Sequence, residues 1–319
     1  MYPLLLKPTI KDYIWGGTRL KKEFGFKTDK KIAAEAWELS CNKDGDSFVI
    51  NGPLAEKTLR EVIFGNWKGE GLGKKAEKFN DFPLLIKLID AADRLSVQVH
   101  PDDNYALKHG GGFGKTEMWY VIDAEENSEI LYGLKTNVSK EEFEQRIKNG
   151  TLLEICNYVP AKKGDVFFIP SGTLHAIGKG ILIAEIQQNS NATYRVYDYD
   201  RIGKDGKPRE LHINQAIDVT KREHPSIPYG NVGKLEKFSF GEVRELADCE
   251  LFDVKLIELR GKIEFCEKES FISLLILDGQ ATAAYDGGEI PLKKGNSLFV
   301  PAALPLTLSG DLTVIKTTL

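Results

Sequence analysis

Apolar residues in this chain come in short runs closed by turn residues. The stretches PLLIKLID, LSVQVH, MWYVID, DVFFIP, ILIAEIQ, LFDVKLIEL, FISLLILD, NSLFVP and LTVIKT are rich in Val, Ile, Leu and Phe and bounded by Gly, Pro, Asp and Asn. Runs of this kind predict β-strands, and many short strands so punctuated predict a sandwich or jelly roll. Helical patterns are few. Ser139-Lys140-Glu141-Glu142 reads as a capping box followed by Phe143 and Ile147 on one helix face, with Gly150 as a stop. Thr58 and Glu61 form a second capping box before VIFG, and DDNYALKHGG predicts a short helix ending at glycine. Residues 41–82, mixed and rich in Gly and Lys towards their end, predict a partly helical insertion.

The same texture occurs twice. Lys162 to Ile177 reads KKGDVFFIPSGTLHAI, and Lys293 to Leu308 reads KKGNSLFVPAALPLTL. The frames align without a gap: Lys-Lys-Gly recurs, then a strand, then Pro. Gly172 becomes Ala303 and His175 becomes Leu306. Two related β domains are expected, the second with its polar site filled by apolar residues. The boundary is placed in KREHPSIPYGNVGK, dividing the chain into 1–230, which carries the insertion, and 231–319.

Composition narrows the function classes. The chain has 319 residues, 42% apolar and 28% charged, with a formal net charge of -4. Bulk attraction to nucleic acid or to an anionic membrane is not expected. An anionic small substrate remains open, provided its basic partners are local. Cys41, Cys156, Cys249 and Cys266 form no metal-like spacing and predict free thiols in a reducing, cytoplasmic setting. The N-terminal MYPLLLKPTI has no cleavage-site pattern. No stretch approaches the roughly 18 apolar residues of a membrane span.

Candidate chemistry begins in SVQVHPDD. Gln98 and His100 are two residues apart, so they share one face of a strand. A polar pair on an apolar strand needs partners. Gly164, Pro170, Gly172 and His175 supply a frame, Gly-x5-Pro-x-Gly-x2-His, that resembles the second motif of the cupin superfamily. Lys179 stands where that motif usually has Asn. The upstream motif falls on Gln98-Val99-His100, with Glu117 on the next strand. The resemblance implies that Gln98, His100, Glu117 and His175 converge in one barrel mouth and hold a metal. Two imidazoles, a carboxylate and an amide oxygen suit Zn²⁺ or a neighbouring divalent ion. Singly, each has a plainer reading: Gln98 as a polar strand residue, His175 as a loop histidine, Glu117 as a partner of Lys115. His109, His212 and His224 do not join the set, and His109 and His224 are expected at the surface.

The likeness extends further. YIWGGTRL, EAWELS, SVQVHPDD, GKTEMWYV, PSGTLHAIG and QNSNATYRVYDYDR…GKPRELHI occur in an order that resembles the type I mannose-6-phosphate isomerases in their short bacterial form. They span the first two thirds of the chain. The last third resembles only a degenerate second cupin. The resemblance implies a mainly β fold of two cupin-type jelly rolls with a small, partly helical insertion. It implies one Zn²⁺ per chain on Gln98, His100, Glu117 and His175, and interconversion of D-mannose 6-phosphate and D-fructose 6-phosphate. It places Lys115 and Glu185 in the pocket and the catalytic arginine on Arg195. Larger relatives carry an Asp where this chain has Asn191, so a role for that Asp does not carry over.

These residues suit the chemistry on independent grounds. Moving a proton between C1 and C2 passes through an enediol(ate), whose charge a metal or a fixed guanidinium can neutralise. A carboxylate or lysine can carry the proton. In ILIAEIQ, Glu185 shares a face with Ile183 and Gln187. It is either a pocket acid or a buried partner of Arg195 or Lys115. Arg195 is either catalytic or an ion-pair partner of Asp198 or Asp200. Lys87, between apolar neighbours, is either a pocket cation or a snorkelling strand lysine. Lys87, Ser96 and Arg201 are the substrate-binding candidates. A cupin dioxygenase and a non-enzymatic sugar-binding cupin are the competing readings. Gln98 argues against the first and the full ligand set against the second. The partner expected is a small sugar phosphate, with no nucleic acid or membrane, and the protein a monomer or weak homodimer.

Overall fold

A computed structural model describes residues 1–110, 112–203 and 206–319. Three antiparallel sheets carry the architecture. A six-stranded sheet runs in the order Val166–Ile169, Glu117–Ala124, Ile181–Gln188, Leu84–Ala91, Glu35–Leu39, Thr9–Lys11. A five-stranded sheet runs Cys156–Pro160, Glu129–Leu134, His175–Ile177, Val97–Val99, Tyr194–Tyr197. These two face each other as a jelly roll, and Ile89, Trp119, Val121, Ile130, Tyr132, Ile177 and Ile183 fill the space between them. The third sheet, of nine strands, builds a second β unit on the C-terminal third.

The six-stranded sheet is covered on both sides. Its far face presents Ile86, Leu88, Met118, Tyr120, Ala184 and Ile186 to Leu256, Leu275, Phe299 and Ile315 of the nine-stranded sheet. Every residue of Leu84–Ala91 and of Ile181–Gln188 is therefore buried. This explains why those strands read as continuous apolar runs rather than as alternation. Polar residues within them, Lys87, Glu185 and Gln187, must find partners inside the protein.

The sequence repeat is a structural repeat. Strand Val166–Ile169 corresponds to Ser297–Val300, and the strands beginning at His175 and Leu306 occupy equivalent places. Gly164 and Gly295 both adopt positive φ, 89° and 82°. Lys162 N donates to Asp165 Oδ2 at 2.8 Å, and Lys293 N to Asn296 Oδ1 at 2.9 Å. Glu117 pairs with Ile169, and its counterpart Ile272 pairs with Val300. Gln98 pairs with His175, and its counterpart Phe265 pairs with Leu306. The positions that carry Gln98, Glu117 and His175 in one barrel thus carry Phe265, Ile272 and Leu306 in the other, where Ile272 and Leu306 are buried in an apolar cluster and Phe265 packs against it.

Two features depart from the sequence reading. The strand Leu4–Lys7 pairs with Ser297–Val300, and Phe48–Val49 pairs with Leu4–Lys7, so the C-terminal sheet takes in strands from the chain's beginning and crosses the boundary near residue 230. Leu4 and Leu6 are drawn there because their shared face is buried in the core between the sheets. The Thr58–Glu61 box forms reciprocally, Glu61 N donating to Thr58 Oγ1 and Thr58 N to Glu61 Oε2. The segment after it, Glu61–Asn66, is a widened π-type turn and not an α-helix. The other capping box behaves as expected: Ser139 Oγ caps the helix Lys140–Lys148, whose Phe143 is buried.

Candidate metal centre and sugar-phosphate pocket

Both sheets contribute to one site at the mouth of the first barrel. Across the five-stranded sheet, His175 and Arg195 pair in register with Gln98 from either side, so the three form a row pointing one way. Across the six-stranded sheet, Trp37, Lys87, Glu185 and Trp119 form a second row. Glu117 follows two residues before Trp119, opposite Gln187.

His100, Glu117 and His175 come together with their ligand atoms within 4.8 Å of one another. His175 Nε2 lies 3.3 Å from Glu117 Oε1, and His100 Nε2 lies 3.6 Å from Glu117 Oε2. Each imidazole is held from behind. His100 Nδ1 donates to Ala192 O at 2.8 Å, and His175 Nδ1 to Thr173 O at 2.9 Å. That leaves both Nε2 lone pairs facing the centre, the arrangement a metal requires. Burial and the Lys115 ammonium hold the His100 imidazole well below its usual range and His175 at about 4, so both are neutral at physiological pH. Burial pushes the Glu117 carboxyl up.

Neither Glu117 oxygen nor His175 Nε2 has a hydrogen-bond partner of good geometry among the described residues, although all three are buried. Unpaired buried acceptors of this kind are costly. The one cation among them is Lys115, whose Nζ lies 2.7 Å from Glu117 Oε2 and 3.0 Å from His100 Nε2. Two imidazole nitrogens and a carboxylate, converging with only a lysine ammonium standing among them, fit a divalent metal ion.

Adjoining this cluster through Lys115 and Gln98 is a cavity of about 260 Å³. Lys87, Lys115, Arg195 and Arg209 line it, against the carboxylates of Glu35 and Glu185, and Ser96, Gln98 and Asn191 also border it. Tyr13 and Trp15 form part of its wall. Lys87 is a pocket cation, 3.0 Å from Glu185 Oε1 and 3.8 Å from Glu35 Oε2. Burial opposes its charge, but the two carboxylates more than compensate and raise its affinity for the proton. Glu185 is likewise held ionised, at about 2. Burial works against the charge, and Lys87 and Lys115 overcome it, helped by the Trp119 indole N–H at 2.9 Å. Its partners are therefore Lys87 and Trp119, not Arg195. Glu35 accepts the Trp37 indole N–H at 2.6 Å.

Arg195 is not tied to Asp198. Its guanidinium donates to Glu210 O at 2.8 Å and to Ser96 Oγ at 3.3 Å. Burial and the neighbouring Arg209 lower its pKa, so the pocket leaves this cation short of negative charge. Asp198 instead holds Arg209, Nε to Oδ2 at 2.6 Å, and Arg201. Arg201 also reaches Asp93 at 3.6 Å and does not border the cavity; the arginine that does is Arg209. Sequence reasoning missed Arg209 and Glu35. Both lie in quoted stretches, GKPRELHI and EAWELS, but their local patterns do not distinguish them. His109 and His224 are exposed, as expected. No helix among the described residues is long and apolar enough to cross a membrane.

Comparison with known proteins supplies the context. The family model for the catalytic domain of type I phosphomannose isomerase matches residues 4–137, and that for the mannose-6-phosphate isomerase cupin domain matches residues 242–319. A mannose-6-phosphate isomerase of Streptococcus mutans is 39% identical, with 98% of this chain and 97% of that protein aligned. The mannose-6-phosphate isomerase ManA of Bacillus subtilis is 39% identical over 95% of this chain and 94% of its own. A crystal structure of the mannose 6-phosphate isomerase from Bacillus subtilis superposes with a TM-score of 0.91 at 38% identity, covering 99% of both chains.

Proposed function

The chain belongs to the type I phosphomannose isomerases, and from that premise we propose that it is a zinc-dependent aldose–ketose isomerase interconverting D-mannose 6-phosphate and D-fructose 6-phosphate. The observation that carries this reading is the cationic cavity of about 260 Å³ that adjoins the His100, Glu117 and His175 cluster through Lys115 and Gln98. Two histidines and one carboxylate alone also suit a non-haem iron oxygenase. Four basic side chains over them favour a phosphorylated, oxygen-rich substrate instead.

His100, Glu117 and His175 are the residues that would hold one Zn²⁺, with Gln98 beside them on the Arg195 row as the amide ligand. When bound, the ion supplies Lewis-acid polarisation of sugar oxygens. The remaining roles belong to the chain. Arg209, set by its two bonds to Asp198, and Ser96 bind the phosphate at the pocket mouth. Arg195, in the same row as Gln98, faces the oxygens on which enediolate charge develops. Lys115, once its ammonium has released a proton to solvent, is the neutral amine that takes the proton from one of C1 and C2 and returns it to the other. Glu185, with each oxygen already accepting a hydrogen bond and little affinity for a proton, keeps Lys87 charged and directed into the pocket. Trp15 and Tyr13 exclude water from one side.

The test is an isomerase assay on the purified chain with and without a chelator, followed by Zn²⁺ add-back. Activity lost to the chelator and restored by zinc supports the reading. Full isomerase activity in metal-free protein rejects the zinc dependence, and no activity in zinc-loaded protein rejects the substrate assignment.

A further inference from the structure

The run Gln187-Gln188-Asn189-Ser190-Asn191-Ala192 is polar where the preceding strand is apolar. None of the roles above accounts for it, apart from the pocket contact of Asn191. In the structure nearly every side chain in this run is spent on fixing one turn. Gln188 Nε2 donates to Asp103 Oδ1 at 2.9 Å, and its Oε1 accepts Thr116 N at 2.9 Å. Asn189 Nδ2 donates to Phe82 O at 2.9 Å and its Oδ1 accepts from Asn42 at 3.0 Å. Asn191 Nδ2 donates to Asp44 Oδ2 at 2.9 Å. The turn ends at Ala192, whose carbonyl is the acceptor for His100 Nδ1.

Gln187 differs from the others because it works from inside. It is fully buried and sits in register opposite Glu117. Its Nε2 donates to two carbonyls of the turn, Gln188 O and Ser190 O, both at 2.7 Å. The outer side of the turn borders a groove of about 850 Å³ lined by Asn42, Asp44 and residues 189–192, where water can replace a lost side-chain bond. Water has no such access at Gln187. A free neutral imidazole samples both tautomers, and only an acceptor at Nδ1 commits Nε2 to a metal. The turn presents that acceptor, and Gln187 holds two of its carbonyls from within.

We propose that Gln187 is a positioning residue of the metal centre: its buried amide clamps the carbonyls of Gln188 and Ser190 and so presents the Ala192 carbonyl that orients His100. The inference rests on His100 being a metal ligand. Partners behind a ligating histidine typically affect metal affinity by about 10- to 100-fold. Gln187→Met keeps the side-chain length and removes both donors. Gln187→Glu keeps the shape but sets carboxylate oxygens against two carbonyl oxygens.

The experiment compares the wild-type chain with both variants by chelator competition for Zn²⁺, by the visible absorption spectrum of the Co²⁺-substituted protein, and by thermal unfolding of the metal-free protein. The expected result is metal affinity weakened about 10- to 100-fold and displaced Co²⁺ bands in Gln187→Met, with a larger loss in Gln187→Glu. Unchanged affinity and spectrum in folded variants overturn the proposal, even if thermal stability falls, because that pattern describes packing alone. Failure of the wild-type chain to bind a divalent ion instead overturns the metal-site reading beneath it. Should neither variant fold, NMR of the wild-type holoprotein decides. The two Gln187 amide protons are expected to exchange slowly, and rapid exchange with solvent refutes the clamp.

Discussion

Lys87 and Glu185 stand opposite each other in register on adjacent strands, Nζ 3.0 Å from Oε1, both buried beneath the pocket. Removing one member leaves the other, largely buried charge without its main partner. Glu185→Gln is expected to destabilise the fold by about 3 kcal/mol, the magnitude typical of a broken buried pair. Lys87→Met should cost a similar amount, since Glu35 and Glu185 then repel. The double variant Lys87→Met/Glu185→Leu should recover much of this while remaining inactive. Urea unfolding with an activity assay checks both statements. Equal destabilisation in the double variant would show that packing, not charge, governs the pair.

The ligand geometry predicts about one zinc per chain. His100→Ala and His175→Ala should each lose the metal and the activity. The second barrel, whose equivalent positions hold Phe265, Ile272 and Leu306, should stay folded. Metal analysis and circular dichroism of the variants are the measurements. Retained stoichiometric zinc in both variants contradicts the assignment.

Arg195 and Arg209 both face the cavity but are held differently, and their kinetics should differ. Arg195→Ala should lower kcat by about 10²-fold or more, because its cation acts where charge develops. Arg195→Lys should also be impaired, since a point charge does not replace the planar fork. Arg209→Ala should mainly raise KM, as expected for binding that is equal in ground and transition states. The inverse pattern would exchange the two roles. Zinc content must be unchanged for the comparison to stand.

Ala303 adopts a left-handed φ of 61°, where its counterpart Gly172 has 86°. A Cβ in that region costs about 1–2 kcal/mol, and glycine returns part of this through its more flexible unfolded chain. Ala303→Gly is therefore expected to stabilise the protein by roughly 0.5–1 kcal/mol. The reverse change, Gly172→Ala, should destabilise it by more, because the new Cβ would meet Val219 O at 2.8 Å. Thermal unfolding of the metal-free variants reads both.

Burial raises the Asp46 carboxyl from its ordinary 3.8 to about 6, only partly opposed by Arg60, and its Oδ1 has no hydrogen-bond partner among the described residues. The folded chain thus holds this proton where the unfolded chain has released it. Stability from this group is complete below pH 3.8 and is lost as pH rises to about 6. At pH 7 the charge is a cost, and Asp46→Asn should stabilise the fold by about 1 kcal/mol, allowing for solvent screening of a half-exposed group. Below the ordinary carboxyl range the same variant should be neutral. Urea titrations at pH 7 and pH 3.5 compare them, and an equal effect at both pH values would assign it to something other than charge.

Local pattern carried a large part of this protein. The apolar runs marked the strands, and Lys-Lys-Gly followed by a strand and Pro marked two turns that the structure builds with the same hydrogen bonds, Lys162 to Asp165 and Lys293 to Asn296. Those features are short-range, so a sequence displays them directly. His100, Glu117 and His175 were also legible, through the resemblance to the cupin motif, whose positive-φ Gly164 and Gly172 turn the chain into and out of the strand that precedes His175.

Tertiary structure alone decided the partners. That Asp198 takes Arg201 and Arg209 while Arg195 donates to Glu210 O and Ser96 Oγ, that Lys87 answers to both Glu35 and Glu185, and that Gln187 holds carbonyls of the turn behind His100 depend on which strands lie side by side. So does the placement of Leu4–Lys7 against Ser297–Val300, nearly the whole chain apart. An arginine or glutamate looks the same in sequence whether it faces water or a pocket. Its charge acquires a role only once burial removes the solvent and the register of neighbouring strands determines which opposite charge remains within reach.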